Sequence, residues 1–145
     1  MTAALLDVNV LVALLWPAHE GHERAQNWFA KNAGAGWATC PVTQAGFVRI
    51  VSNPAFSRDA VTPKEALLLL AGNMRHRSHQ FWADEIDVVE AMISFAERMK
   101  GHQQVTDAYL LGLAQRKKGK LATMDRGVAD LCAEKSVERN LVVVI

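Results

Sequence analysis

Ala4-Leu5-Leu6-Asp7-Val8-Asn9-Val10-Leu11-Val12-Ala13-Leu14-Leu15 is apolar almost throughout, with one carboxylate and one amide embedded in it. A short apolar run of this kind fits a strand buried on both faces, as in a parallel sheet covered by helices. Asp7 is the residue that needs explaining. A carboxylate in an apolar surround is costly unless it is hydrogen-bonded, charge-paired or bound to a metal. Open α/β sheets bind ligands at the carboxyl ends of their strands. Leu5-Leu6-Asp7 therefore reads as a strand that delivers Asp7 to that edge, and Asn9 to Leu15 as the start of the helix that leaves it.

Working outward, Trp16-Pro17 stops that helix, and His22 to Phe29 resumes a helical pattern that ends near Asn32 to Gly36. Trp37 to Val42 reads as a second strand, with Thr43 as N-cap of a helix closed by Asn53-Pro54. Thr62-Pro63-Lys64-Glu65 is a capping box with Pro at the first helical position. The cations of Arg75-His76-Arg77 suit the C-terminus of that helix. His79 to Trp82 is a third strand, and Asp87 caps a helix reaching Lys100-Gly101. Thr106 caps the helix Asp107 to Lys117, and Leu121 to Met124 is a strand ending at Asp125. A helix from Val128 to Lys135 and a final strand, Leu141 to Ile145, complete the chain. Strands alternating with helices predict a mainly parallel sheet of about five strands between helical layers, a three-layer α/β/α domain spanning 1–145.

With 145 residues, 50% of them hydrophobic and 21% charged, the chain has the composition of a soluble globular protein. A net charge of +1 announces no polyanion partner by bulk field alone. Cys40 and Cys132 stand in apolar surroundings and read as reduced core residues of a cytoplasmic protein. No basic segment precedes the first apolar run and Asp7 interrupts it, so neither a signal peptide nor a membrane span is expected.

Asp7 and Asp125 each end an apolar strand, and Asp107 falls in the first turn of a helix. On parallel strands these acids share one edge. Like carboxylates brought together repel and raise one another's pKa, and a hard divalent cation relieves the conflict. Oxygen-only donors favour Mg²⁺ or Mn²⁺ over zinc. Plainer readings stand beside this one. Asp107 also suits the positive end of a helix dipole, and Asp125 before Arg126-Gly127 also suits an Asx-turn. Glu20, Glu23 and Asp84 are further acids, in polar stretches typical of solvated surface. The histidines show no zinc-like spacing. The Arg75 to His79 run and Lys117-Lys118-Gly119-Lys120 read as a solvated helix end and a charged turn, and the tryptophans as core or interface aromatics.

Leu6 to Leu14, Thr106 to Leu110 and Leu121 to Gly127, in that order, resemble the three acidic motifs of PIN-domain ribonucleases, closest to the VapC toxins of VapBC toxin–antitoxin systems. Cys40 to Arg49 resembles that family's second motif, with Gln44 where the family commonly has Glu. The resemblance implies strand order 3-2-1-4-5 and a Mg²⁺-dependent (or Mn²⁺-dependent) endoribonuclease leaving a 5′-phosphate and a 3′-hydroxyl. It implies Asp7, Asp107 and Asp125 as metal ligands, Thr106 positioning Asp107 or a water, and Gln44 orienting solvent or substrate. Arg49 and Arg126, beside these motifs, become candidates for phosphate contact. The implied partners are RNA, a VapB-like antitoxin and a second copy in a homodimer. Trp16, Trp28 and Phe29, beside the first strand, offer an apolar surface for that antitoxin and equally suit the core. Two other readings stay open: a non-catalytic RNA- or protein-binding module, which Gln44 favours, and another acid-cluster enzyme such as a phosphatase. The absence of Asp-x-Asp at the first strand counts against the phosphatase.

Overall fold

The computed structural model describes residues 2–133 and 137–145. Its sheet has five parallel strands, β1 (Ala4–Leu6), β2 (Trp37–Thr39), β3 (His79–Phe81), β4 (Lys120–Thr123) and β5 (Val142–Val144), in the order 3-2-1-4-5. This is the expected order, with β1 central. Helices α1 (Val8–Leu15), α2 (His22–Asn32), α3 (Pro41–Val51) and α4 (Pro63–Asn73) precede β3, and α5 (Val88–Met92) and α6 (Val105–Arg116) lie between β3 and β4.

Successive strand residues point to opposite faces, and β1 feeds both cores in this way. Leu5 packs with Leu121, Tyr109, Leu110 and Leu113 under α5 and α6. Ala4 and Leu6 pack with Val10, Leu11, Phe47 and Val51 under α1 and α3. Helix α6 is buried continuously from Ala108 to Ala114, which anchors the turn that carries Asp107.

Several expected boundaries move, each for a local reason. Strand β2 stops at Thr39 because Pro41 has no N–H for the ladder and instead opens α3. The N-cap is therefore Cys40, and Thr43 sits in the first turn, where its hydroxyl accepts from the Cys40 N–H at 3.0 Å. Helix α6 starts at Val105, because the 3₁₀ turn His102–Gln104 runs directly into it. Thr106 is thus its second residue and caps nothing. The helix begun at Asp87 breaks into α5 and a 3₁₀ segment, Ile93–Arg98. Helix α4 ends at Asn73, so Arg75 to Arg77 lie beyond it. The expected helix from Val128 is a 3₁₀ segment, Arg126–Leu131, and the remainder of that expectation falls partly outside the described residues. The Thr62 capping box is present in both directions, at 3.1 Å each way. Lys117 pairs with Glu85 at 2.9 Å and Lys118 takes a positive φ of 54°, a charged turn as read from the sequence.

Gly112 marks the closest approach of α6 to α5, where a Cβ would collide with the carbonyl of Ala91. Gly112→Ala is expected to force the helices apart at a cost of about 1–3 kcal/mol, a fall in Tm of roughly 2–12 °C for a chain of this size. Gly72 in α4 faces open space, and Gly72→Ala is expected to add ~0.5 kcal/mol through helix propensity. Calorimetry on the two variants reads opposite signs if the helix contact is as described.

Candidate active site

Asp7 follows β1 directly and caps α1. One carboxylate oxygen accepts from the Val8 N–H at 2.7 Å, and the other accepts from the Thr123 hydroxyl at 2.8 Å. Its side chain is almost enclosed, with 7% of the residue exposed. Burial pushes its pKa up, the hydrogen bonds from Thr123 and Val8 oppose that, and the negative charge of Asp125 adds to it.

Thr123 is the hub. Fully buried at the end of β4, its hydroxyl donates to Asp7 and accepts from the Asp125 N–H at 3.1 Å and from the Asn9 amide at 3.3 Å. Asn9 returns across the strands, accepting from the Met124 N–H at 3.0 Å. A five-residue network therefore sets the separation of Asp7 and Asp125. Neither Asn9 nor Thr123 stood out in the sequence as a site residue. The available signal was a pair of hydrogen-bonding side chains, each two residues from a candidate acid, in otherwise apolar stretches.

Asp125 is exposed and accepts from the Gly127 N–H at 2.8 Å. The Asx-turn reading and the edge reading of this residue thus hold together. Asp107 is half-buried in the first turn of α6, and its pKa is pushed up to about 7, first by burial and then by the charges of Asp7 and Asp125. The three acids therefore sense one another across the carboxyl edge of the sheet. A cleft of about 390 Å³ opens there, lined by Asp107, Asp125 and Gly127 together with residues 100–104.

The donor set fits a hard divalent cation: carboxylate oxygens of one sign, mutually destabilised. Among the described residues no three such groups form a ready-made cage. The fit is to an ion of the magnesium class, which keeps several of its waters and takes only one or two carboxylates directly.

The other expected residues lie around and beyond this cleft. Gln44 donates its amide to the Thr39 hydroxyl at 2.9 Å and lies 3.7 Å from the Met74 sulfur. No hydrogen bond joins it to the three acids among the described residues. The Thr39 hydroxyl also pairs with the His79 ring at 2.8 Å, so the amide is held in a network of its own beyond β2. Thr106 is exposed and its hydroxyl has no partner among the described residues. Arg126 is exposed beside Asp125, whereas Arg49 borders a separate groove between α3 and α4 that Gln44 also lines. Asp84 accepts from the Tyr109 hydroxyl at 2.7 Å, and Glu20 and Glu23 line a shallow depression with Arg24.

The raised pKa of Asp107 fixes a pH dependence. Between an ordinary 3.8 and about 7, the folded chain holds this proton more tightly than the unfolded chain does. Its contribution to metal-free stability is therefore full below about 4 and lost as pH rises through about 7. With a chelator present, the Tm of Asp107→Asn is expected to fall less than that of the wild type between these limits. Parallel Tm profiles would show that Asp107 does not carry the linkage.

A family model for the PIN domain matches residues 4–134. Ribonuclease VapC39 of Mycobacterium tuberculosis is 42% identical over 135 residues, 93% of this chain and 97% of that protein. Ribonuclease VapC38 of the same species is 43% identical over 132 residues, 91% and 92% of the two chains. A crystal structure of VapBC2 from Rickettsia felis bound to a DNA fragment from their promoter superposes with a TM-score of 0.56, covering 85% of this chain and 88% of that one. At 12% identity that likeness speaks for the fold alone. The matched region contains all three acids together with Asn9 and Thr123, and on these grounds the chain belongs to the PIN-domain family of VapC ribonucleases.

Proposed function

We propose that this chain is a metal-dependent endoribonuclease, the toxin of a toxin–antitoxin pair, acting as one cytoplasmic domain over 1–145. The observation that carries the reading is the gathering of Asp7, Asp107 and Asp125 at one sheet edge, in a chain related to VapC ribonucleases. Asp7 and Asp107 would hold a Mg²⁺ or Mn²⁺ ion, with Asp125 completing or tuning its surroundings. When bound, such an ion supplies Lewis-acid charge that activates water and offsets charge on the departing oxygen. Asp107 would have to give up its proton to serve as a ligand there. The Val8 N–H and the Thr123 hydroxyl hold the Asp7 carboxylate in one orientation. Arg126, exposed beside Asp125, is the nearer of the two arginines for a phosphate contact, and Arg49 belongs to the α3–α4 groove. The engagement of Gln44 with Thr39 favours a second reading, a catalytically weak RNA-binding module with fewer charges at the metal site.

Asp7→Asn keeps an acceptor for the Val8 N–H, since Asn caps helices as well as Asp. It is expected to leave the metal-free Tm equal or higher, by removing carboxylate repulsion. Mg²⁺-dependent cleavage of a structured RNA should fall by more than about a hundredfold, beyond the usual effect of losing a supporting contact. Undiminished cleavage refutes the assignment, and hydrolysis of a small phosphate ester without RNA cleavage moves the chain to phosphatase chemistry.

For the antitoxin, the early helices offer an apolar groove of about 460 Å³ lined by Leu14, Leu15, Phe29 and Trp37. Val88, Val89 and Ile93, each more than half exposed, offer a separate surface for a second copy. Ala30 is exposed at the groove. Ala30→Arg is therefore expected to abolish co-purification with the product of the adjoining small reading frame while leaving Tm unchanged. Light scattering on the eluted complex counts the copies of this chain. Retained binding by the variant would move the antitoxin off this groove.

A further inference from the structure

The acids and their supports account for part of the cleft lining, and the wall formed by Lys100 to Gln104 has no part in holding the metal. That wall is built by Gln104. Its side-chain oxygen accepts from the Lys100 N–H at 2.6 Å, and its own N–H donates to the Gly101 carbonyl at 3.2 Å. The turn so formed turns three other side chains outward. The Lys100 ammonium, the His102 ring and the Gln103 amide are exposed, and none has a side-chain partner among the described residues. They line the same cleft as Asp107 and Asp125. One of two adjacent glutamines thus closes the turn, and the other is left free beside the acids.

The chemistry of this wall suits a nucleobase. Unpaired RNA bases are recognised by stacking on rings such as His and by hydrogen bonds to their edges. A Gln amide places a donor beside an acceptor, the complement of the N6–N7 edge of adenine. An ammonium attracts phosphate whatever the sequence. The cleft volume of about 390 Å³ lies at the small end of the roughly 300–1,000 Å³ typical of ligand clefts, room for one nucleotide and not for a duplex. Resting on the nuclease reading, we propose that Lys100, His102 and Gln103 form a base-recognition subsite for one unpaired nucleotide next to the scissile phosphate. Gln103 reads its edge with a preference for adenine, His102 stacks on its face, and Lys100 holds a neighbouring phosphate.

The probe is a pool of RNA hairpins with randomised loops, cleaved in Mg²⁺, with the product ends sequenced. Wild-type protein should enrich adenine at one position beside the cut. In Gln103→Ala that enrichment should drop by roughly tenfold, the scale of one bidentate base contact, while the summed cleavage rate drops by a smaller factor. Lys100→Ala should instead slow all sequences alike and lower the salt slope of RNA binding by about one. Gln115→Ala, on the exposed end of α6, should leave the profile unchanged, and equal Tm values verify folding. A flat wild-type profile, or the same profile in wild type and Gln103→Ala, overturns the subsite and leaves the nuclease reading standing. Absence of cleavage by the wild type overturns both.

Discussion

The hydroxyl of Thr123 is the interaction on which the site depends. It lies at the seam between β1 and β4, the two strands whose ends carry Asp7 and Asp125, and it contacts both residues at once. Because it donates to one and accepts from the other, it fixes their spacing without adding charge. A buried hydroxyl is costly unless satisfied. Among the described residues no buried side-chain polar atom lacks a partner. The seam is therefore a polar inclusion in an otherwise dry sheet, fully satisfied and correspondingly rigid.

Around that seam the molecule tolerates an electrostatic conflict. Burial and mutual repulsion raise the pKa of Asp7 and of Asp107. A chain selected for stability alone would replace one of them by an apolar residue. Retaining all three at one edge is the kind of local contradiction expected where function overrides packing.

Much of the fold was legible in the sequence. The apolar run around Asp7 marked the central strand, and the Thr62 box marked a helix start that the structure reproduces in both hydrogen bonds. Asp7 stood out because burying a carboxylate needs a reason. Thr123 and Asn9 did not, because a hydroxyl or amide at the end of a strand is unremarked until its partner is known. That partner lies more than a hundred residues away in the chain. Thr43 and Thr106 mislead for the opposite reason. Each is a good cap by local chemistry, but Pro41 and the 3₁₀ turn at His102 had already started the helices. Gln44 stands out by its place in a motif, but its bond to Thr39 has no local signal, because Thr39 is placed by the neighbouring strand β3.

The pairing of the first strand with the fourth has a consequence for biosynthesis. Asp7 meets Thr123 across a separation of 116 residues. In chain order β1 and its neighbour β2 come first, whereas the other edge of β1 has no partner until β4 has been made. Contacts of such long sequence separation form late, after their loop entropy has been overcome. The three acids can be gathered only then, so a nascent chain bearing Asp7 and even Asp107 lacks the sheet edge at which they meet.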